Sequence, residues 1–283
     1  MKKSCRGRCL ILSNQTFYGP LEKDKEGVMR CILPTRHGTV KDAEDLKKLF
    51  TQLHFDVITR TELSAQDIHS ELLREASHSD HSQAECFVCV ICSHGTKDGI
   101  YGVDGKTISL ENVTKYFDGD HCKHLQAKPK LFFIQACQGE RADRPGSNVI
   151  DGGQDLSNLL ERTHIGDQTD AAKETFNDTL NPNTVPTKTD MLIACATHPG
   201  YVSLRNTQYG SWFIQAVIYV FQKYACKEDI FSLLTLVNSL VARGRTALNQ
   251  EGPRDVVQAS LFTASFTKKF LFFPGVAADS EPR

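Results

Sequence analysis

Short apolar runs punctuate this chain, and between them apolar residues recur at every third or fourth position. The runs Arg8–Leu12, Asp56–Thr59, Glu85–Cys92, Lys130–Gln135, Met191–Ala196 and Lys269–Phe273 predict β-strands. Several are apolar throughout, as strands covered on both faces of a parallel sheet should be. Helical spacing predicts α-helices over Asp42–Leu53, Ser64–Ala76, Leu110–Phe117, Ser211–Tyr224 and Asp229–Ala242. In the first of these, Ala43, Leu46, Leu49, Phe50 and Leu53 form the apolar stripe. Strands alternating with helices give an α/β fold, a mostly parallel sheet with helices on both faces. Residues 141–190 break the rhythm, rich in Gly, Pro, Asn, Asp and Thr. A loop of that length inside a compact domain is functional or disordered. It separates a front part with four strand candidates from a back part with two.

Composition narrows the partners. The chain has 283 residues, 40% hydrophobic and 24% charged, enough to bury a substantial core. A formal net charge of -1 gives none of the basic surplus of nucleic-acid binders, so none is expected as a partner. The most apolar stretch, Trp212–Phe221, contains Gln215 and is too short to span a bilayer, so no membrane partner is expected either. No secretory leader pattern follows Met1. A cytoplasmic protein with its ten cysteines reduced is the expectation.

Cys86, Cys89 and Cys92 in CFVCVIC have the gaps of a metal-ligand set. On a strand, however, Cys86 and Cys92 face one way and Cys89 the other, so they read as packing thiols and no metal is expected. Cys137 is different. It follows KLFFI, at the carboxyl end of a predicted interior strand, where reactive groups of open α/β sheets gather. The strand ending at Cys92 is followed by Ser93-His94-Gly95. If the two strands are parallel neighbours, His94 emerges beside Cys137 as the base a thiol nucleophile needs. Gly95 would let a backbone N–H approach an oxyanion.

Gln135-Ala136-Cys137-Gln138-Gly139, with a histidine upstream in SHG, is a caspase signature. The chain resembles the caspases from about Cys9 to Phe273, through PTRHGT, SHG, KPKLFFIQACQGE, YVSLRN and GSWF. Within the family it is most similar to initiator members of the caspase-nine and nematode death-protease type, without their death-fold prodomain. The resemblance implies a caspase-like sandwich with a six-stranded sheet, and a cysteine endopeptidase cutting after aspartate without a cofactor. Cys137 would be the nucleophile and His94 the acid–base partner, oriented by the Pro34 carbonyl. The N–H groups of Gly95 and Cys137 would hold the oxyanion. Arg36, Gln135 and Arg205 would surround the substrate aspartate, a pocket that fits a carboxylate by forked, charge-assisted hydrogen bonds.

Val202, Ser203, Leu204, Asn206 and Trp212 would bind the substrate backbone and the residues upstream. Leu204 stands where the family usually carries an aromatic, which bears on the upstream pocket and not on the aspartate preference. Asp170, closing DQTD, would be the processing site between a large-subunit segment, 1–170, and a small-subunit segment, 171–283; Asp143, Asp151 and Asp178 are weaker sites. The resemblance further implies a zymogen, a role in apoptosis, an activating platform, and a homodimer through the C-terminal strand around Ser260–Phe266. Two rival readings are a silent caspase-like regulator and a relative cutting after Arg or Lys. The first would lack the Cys, His or pocket arginines, and the second would need acidic residues at 36 and 205.

Overall fold

The structure, a computed structural model, describes residues 5–143, 186–244 and 256–273. The strands are β1 (Gly7–Ser13), β2 (Leu21–Lys23), β3 (Met29–Cys31), β4 (Phe55–Thr61), β5 (Cys86–Cys92), β6 (Gly95–Thr96), β7 (Gly99–Tyr101), β8 (Thr107–Ile108), β9 (Lys130–Gln135), β10 (Met191–Cys195), β11 (Arg205–Asn206), β12 (Gly210–Ser211) and β13 (Leu261–Ala264). The helices are α1 (Thr39–Gln52), α2 (Ala65–Ala76), α3 (Leu110–Lys115), α4 (Trp212–Tyr224) and α5 (Ile230–Arg243).

Six strands form the central sheet in the order β13-β10-β9-β5-β1-β4. Five run parallel, and β13 pairs antiparallel with β10 at one edge. The continuous apolar runs of β1, β5 and β9 are buried along their whole length because helices cover both faces. Cys9, Ile11, Val88, Val90, Leu131 and Phe133 pack with α1, α4 and α5 on one face. Leu10, Leu12, Phe87, Ile91, Phe132 and Ile134 pack with α2 and α3 on the other. The period-two rule also sorts the cysteines of β5: Cys86 and Cys92 lie in the first core and Cys89 in the second. Burial raises the pKa of all three thiols, which keeps them protonated and inert.

Capping explains most helix starts. Ser64 and Asp67 make a reciprocal capping box on α2, and Asp229 accepts from Phe231 and Ser232 at the start of α5. The helix expected from Asp42 begins three residues earlier, at Thr39.

One expected strand is absent. Lys269–Phe273 has strand composition, but the position beside β10 is taken by Leu261–Ala264, so this stretch has no ladder partner. Its rings act as a plug instead. Phe272 is fully buried and meets Phe55 edge-on at 6.3 Å and Phe221 at 5.4 Å. The β2–β3 hairpin and the small β6-β7-β8 sheet, both short and partly exposed, carry too few apolar residues to be read from periodicity.

Candidate active site

β5 and β9 are parallel neighbours, with Cys92 opposite Gln135. His94 and Cys137 each follow two residues beyond that matched pair, so both leave the sheet at the same level of its carboxyl edge. Close packing fixes the crossing. A Cβ on Gly95 would lie 2.4 Å from the Cys137 carbonyl oxygen and 2.9 Å from the Ala136 Cβ. Only glycine brings the two backbones together at this point.

His94 Nε2 is 2.8 Å from the Pro34 carbonyl oxygen. A carbonyl can only accept, so Nε2 carries the proton and Nδ1 keeps its lone pair. The ring lies 4.8 Å from that of Phe17. Burial chiefly, and then the charges of Arg36 and Arg205, push the imidazole pKa down to about 4, against the opposing hydrogen bond to Pro34. The ring is therefore neutral at physiological pH.

The half-buried Cys137 faces the segment after β10. Its Sγ accepts from the Ser203 N–H at 3.3 Å and lies 3.5 Å from the Ser203 hydroxyl. That hydroxyl accepts from Gln135 Nε2 at 3.1 Å. Gln135 is fully buried, and its Oε1 finds no partner among the described residues. A cavity of about 190 Å³ opens against Cys137, lined by Thr96, Ile100, Leu110, Ala136 and Gln138 among others.

Two guanidinium groups complete the site. Arg36 is 1% exposed and reaches the Asn14 carbonyl and the Thr39 hydroxyl at 3.0 Å each. Its Nη2 is 3.5 Å from the Gln135 carbonyl oxygen. Arg205 donates from Nε to the His37 carbonyl at 2.8 Å. Neither makes a salt bridge among the described residues. Burial, then repulsion from Arg205, lowers the Arg36 pKa to about 10, and burial lowers that of Arg205. One buried and one half-buried cation whose hydrogen bonds go to neutral acceptors form a place that favours an anion.

The remaining predicted residues line the segment beside this pocket. Val202 donates to the Arg141 carbonyl, and Trp212 donates to the Leu204 carbonyl. Asn206 Oδ1 accepts from Gln208 and Tyr209 and so closes its own turn. The Trp212 ring fills the space where Gly244 has no side chain. Asp143 bridges antiparallel to Val257. Asp170, Asp151 and Asp178 lie outside the described residues.

Sequence reading missed Asp42. This carboxylate is fully buried on α1 and accepts from the Ser211 N–H, the Ser211 hydroxyl and Gln215 Nε2. It ties the start of α1 to the start of α4 and places a negative charge that partly offsets the lowering of both pocket arginines' pKa by burial. The signal was an acidic residue in line with Leu46 and Leu49 on the apolar stripe.

The Caspase domain family model matches residues 6–271. The chain belongs to the caspase family of cysteine peptidases. Caspase-7 of Gallus gallus is 39% identical over 83% of this chain and 67% of its own length. Caspase-3 of Mesocricetus auratus is 36% identical over 83% of this chain and 72% of its own length. Caspase-8 of Rattus norvegicus is 34% identical over 97% of this chain, which spans about half of that relative, 52%. The caspase sheet thus carries its cysteine and histidine on adjacent strand ends, with the arginines brought in from the loop before α1 and from β11. Among the described residues no group of three metal-ligating side chains converges, and no helix is long and apolar enough to cross a membrane.

Proposed function

We propose that this caspase cleaves polypeptides after aspartate through Cys137 and His94. The observation that carries the reading is a buried guanidinium, Arg36, beside a half-buried one, Arg205, neither with a salt bridge among the described residues. Arg36 reaches the Gln135 carbonyl, and the Gln135 amide leads through Ser203 to the Cys137 sulfur. A substrate aspartate supplies the missing anion. Its carboxylate accepts from Arg36, Arg205 and the second N–H of the Gln135 amide nitrogen, whose first N–H is held by the Ser203 hydroxyl. A neutral or basic side chain leaves the cations unpaired, so rejection follows from desolvated charge.

The chemistry follows from the proton inventory. Cys137 transfers its thiol proton to Nδ1 of the neutral His94, and the sulfur attacks the carbonyl carbon of the aspartyl residue. Charge developing on the oxygen is met by the N–H groups of Cys137 and Gly95. His94 gives the proton to the departing amine as the C–N bond breaks, leaving a thioester. Water, losing a proton to Nδ1, attacks the thioester. The tetrahedral adduct collapses to the new carboxyl group, and the proton returns from His94 to the Cys137 sulfur. Pro34 keeps the Nε2 proton in place throughout.

The finer assignments rest on the sequence blocks. Initiator-type action in apoptosis, processing at Asp170 into segments 1–170 and 171–283, and dimerisation through β13 are part of the same proposal. β13 is the outermost strand of its sheet, and a strand edge of this kind pairs readily with a second copy.

The test is cleavage of four peptides differing only in Asp, Glu, Ala or Arg before the scissile bond, by the wild type and Cys137→Ala in a dimer-favouring kosmotropic salt. Turnover of the Asp peptide alone, abolished by the substitution, is the expected result. Cleavage of the Arg peptide would overturn the pocket assignment. No cleavage by a dimeric wild type would overturn the proposed activity.

A further inference from the structure

Gln258 lies outside every helix and strand, three residues before β13, yet it is 1% exposed. Both ends of its side chain are committed to main-chain atoms. Oε1 accepts from the Leu204 N–H at 2.6 Å, and Nε2 donates to the Ala196 carbonyl at 2.6 Å. Ala196 directly follows β10, and Leu204 precedes β11, so the amide braces the intervening loop across its two ends.

What the brace holds gives it meaning. The Leu204 carbonyl accepts from the Trp212 N–H, so both main-chain polar groups of Leu204 are held from the protein side. Successive residues of an extended segment direct their N–H and C=O groups to opposite sides. Fixing Leu204 therefore turns those of Ser203 and Arg205 the other way, and the Ser203 N–H does lie 3.3 Å from the Cys137 sulfur. Ser203 also holds the Gln135 amide, and Arg205 supplies a pocket guanidinium. The residues on either side of Leu204 are thus the ones that meet the substrate.

We propose that Gln258 is a positioning residue for peptide-bond cleavage: its buried amide sets the register of Ser203 and Arg205 against Cys137 by clamping Leu204 to Ala196. The proposal rests on reading that groove as the substrate-binding site. An uncharged amide serves both partners at this reach, donating to the Ala196 carbonyl and accepting from the Leu204 N–H. Methionine, of similar shape, serves neither. Glutamate keeps the acceptor for Leu204 and sets an oxygen against the Ala196 carbonyl until it is protonated.

The experiment compares wild type, Gln258→Met and Gln258→Glu on an aspartyl tetrapeptide amide, together with alkylation of Cys137 by iodoacetamide. For Gln258→Met, kcat/KM is expected to fall at least tenfold, mostly through KM, with alkylation within twofold of wild type. For Gln258→Glu, the KM ratio to wild type should shrink from pH 8 to pH 6, as protonation restores a donor toward Ala196. A folded Gln258→Met with kcat/KM within twofold of wild type would overturn the proposal, as would a pH-independent ratio for Gln258→Glu. Should both variants fail to fold, hydrogen exchange at the Leu204 amide of the wild type decides. Strong protection is expected, and exchange at the rate of an exposed amide would refute the brace. A wild type that cleaves nothing counts against the proposed function, while the exchange measurement still judges the brace.

Discussion

At the scale of single residues, the pocket depends on two guanidinium groups that make no salt bridge among the described residues. Arg205→Lys keeps the charge and loses the planar fork, so it tests geometry apart from electrostatics. We expect kcat/KM for an aspartyl peptide to fall by about 10²–10³, equivalent to about 3–4 kcal/mol, since bidentate pairing is lost in a desolvated site. Steady-state kinetics on the Asp and Glu peptides measures this, and a fall below threefold would count against the pocket. His94 gives a second prediction. Its folded pKa, about 4, lies below the ordinary histidine value of 6.5. Between those values the unfolded chain binds a proton that the folded site refuses, so stability falls as pH drops from 6.5 towards 4. His94→Asn should flatten that slope in denaturant titrations at pH 6.5 and 4.5. Part of the slope should survive, because burial also lowers the pKa of His81.

At the scale of elements, the site is a consequence of two strands ending together. Gly95→Ala would drive a methyl group to within 2.4 Å of the Cys137 carbonyl. Since the clash is with backbone, we expect about 1–3 kcal/mol of destabilisation by overpacking, together with loss of peptide turnover. Equilibrium unfolding and kinetics on the same preparation check both. Cys137, His94 and the two strands were legible because their apolar runs are long and end in polar, glycine-containing turns. Asp42 was hidden because its partners Ser211 and Gln215 lie far along the chain, and periodicity carries no long-range pairing. Gln258 was hidden for the same reason. The strand expected over Lys269–Phe273 failed because composition states which residues are buried, not whether a ladder partner is free.

At the scale of the whole molecule, those same aromatic residues close the core. Phe272 is fully buried and packs against rings from α4, β4 and its own segment. Phe272→Ala should therefore cost about 3–5 kcal/mol in urea unfolding, the range of large-to-small changes in a tight core. A cost below about 1 kcal/mol would mean that the plug is loosely seated. The central claim, that an aspartate held by Arg36, Gln135 and Arg205 presents its carbonyl to Cys137, has a direct test. Intact-mass and peptide mapping after reaction with an aspartyl peptide electrophile should find one adduct, on Cys137. Replacing the aspartate of that reagent with asparagine should slow labelling by at least a hundredfold in wild type but only slightly in Arg205→Ala. Labelling at another cysteine, or equal rates for the aspartyl and asparaginyl reagents in wild type, would contradict the account.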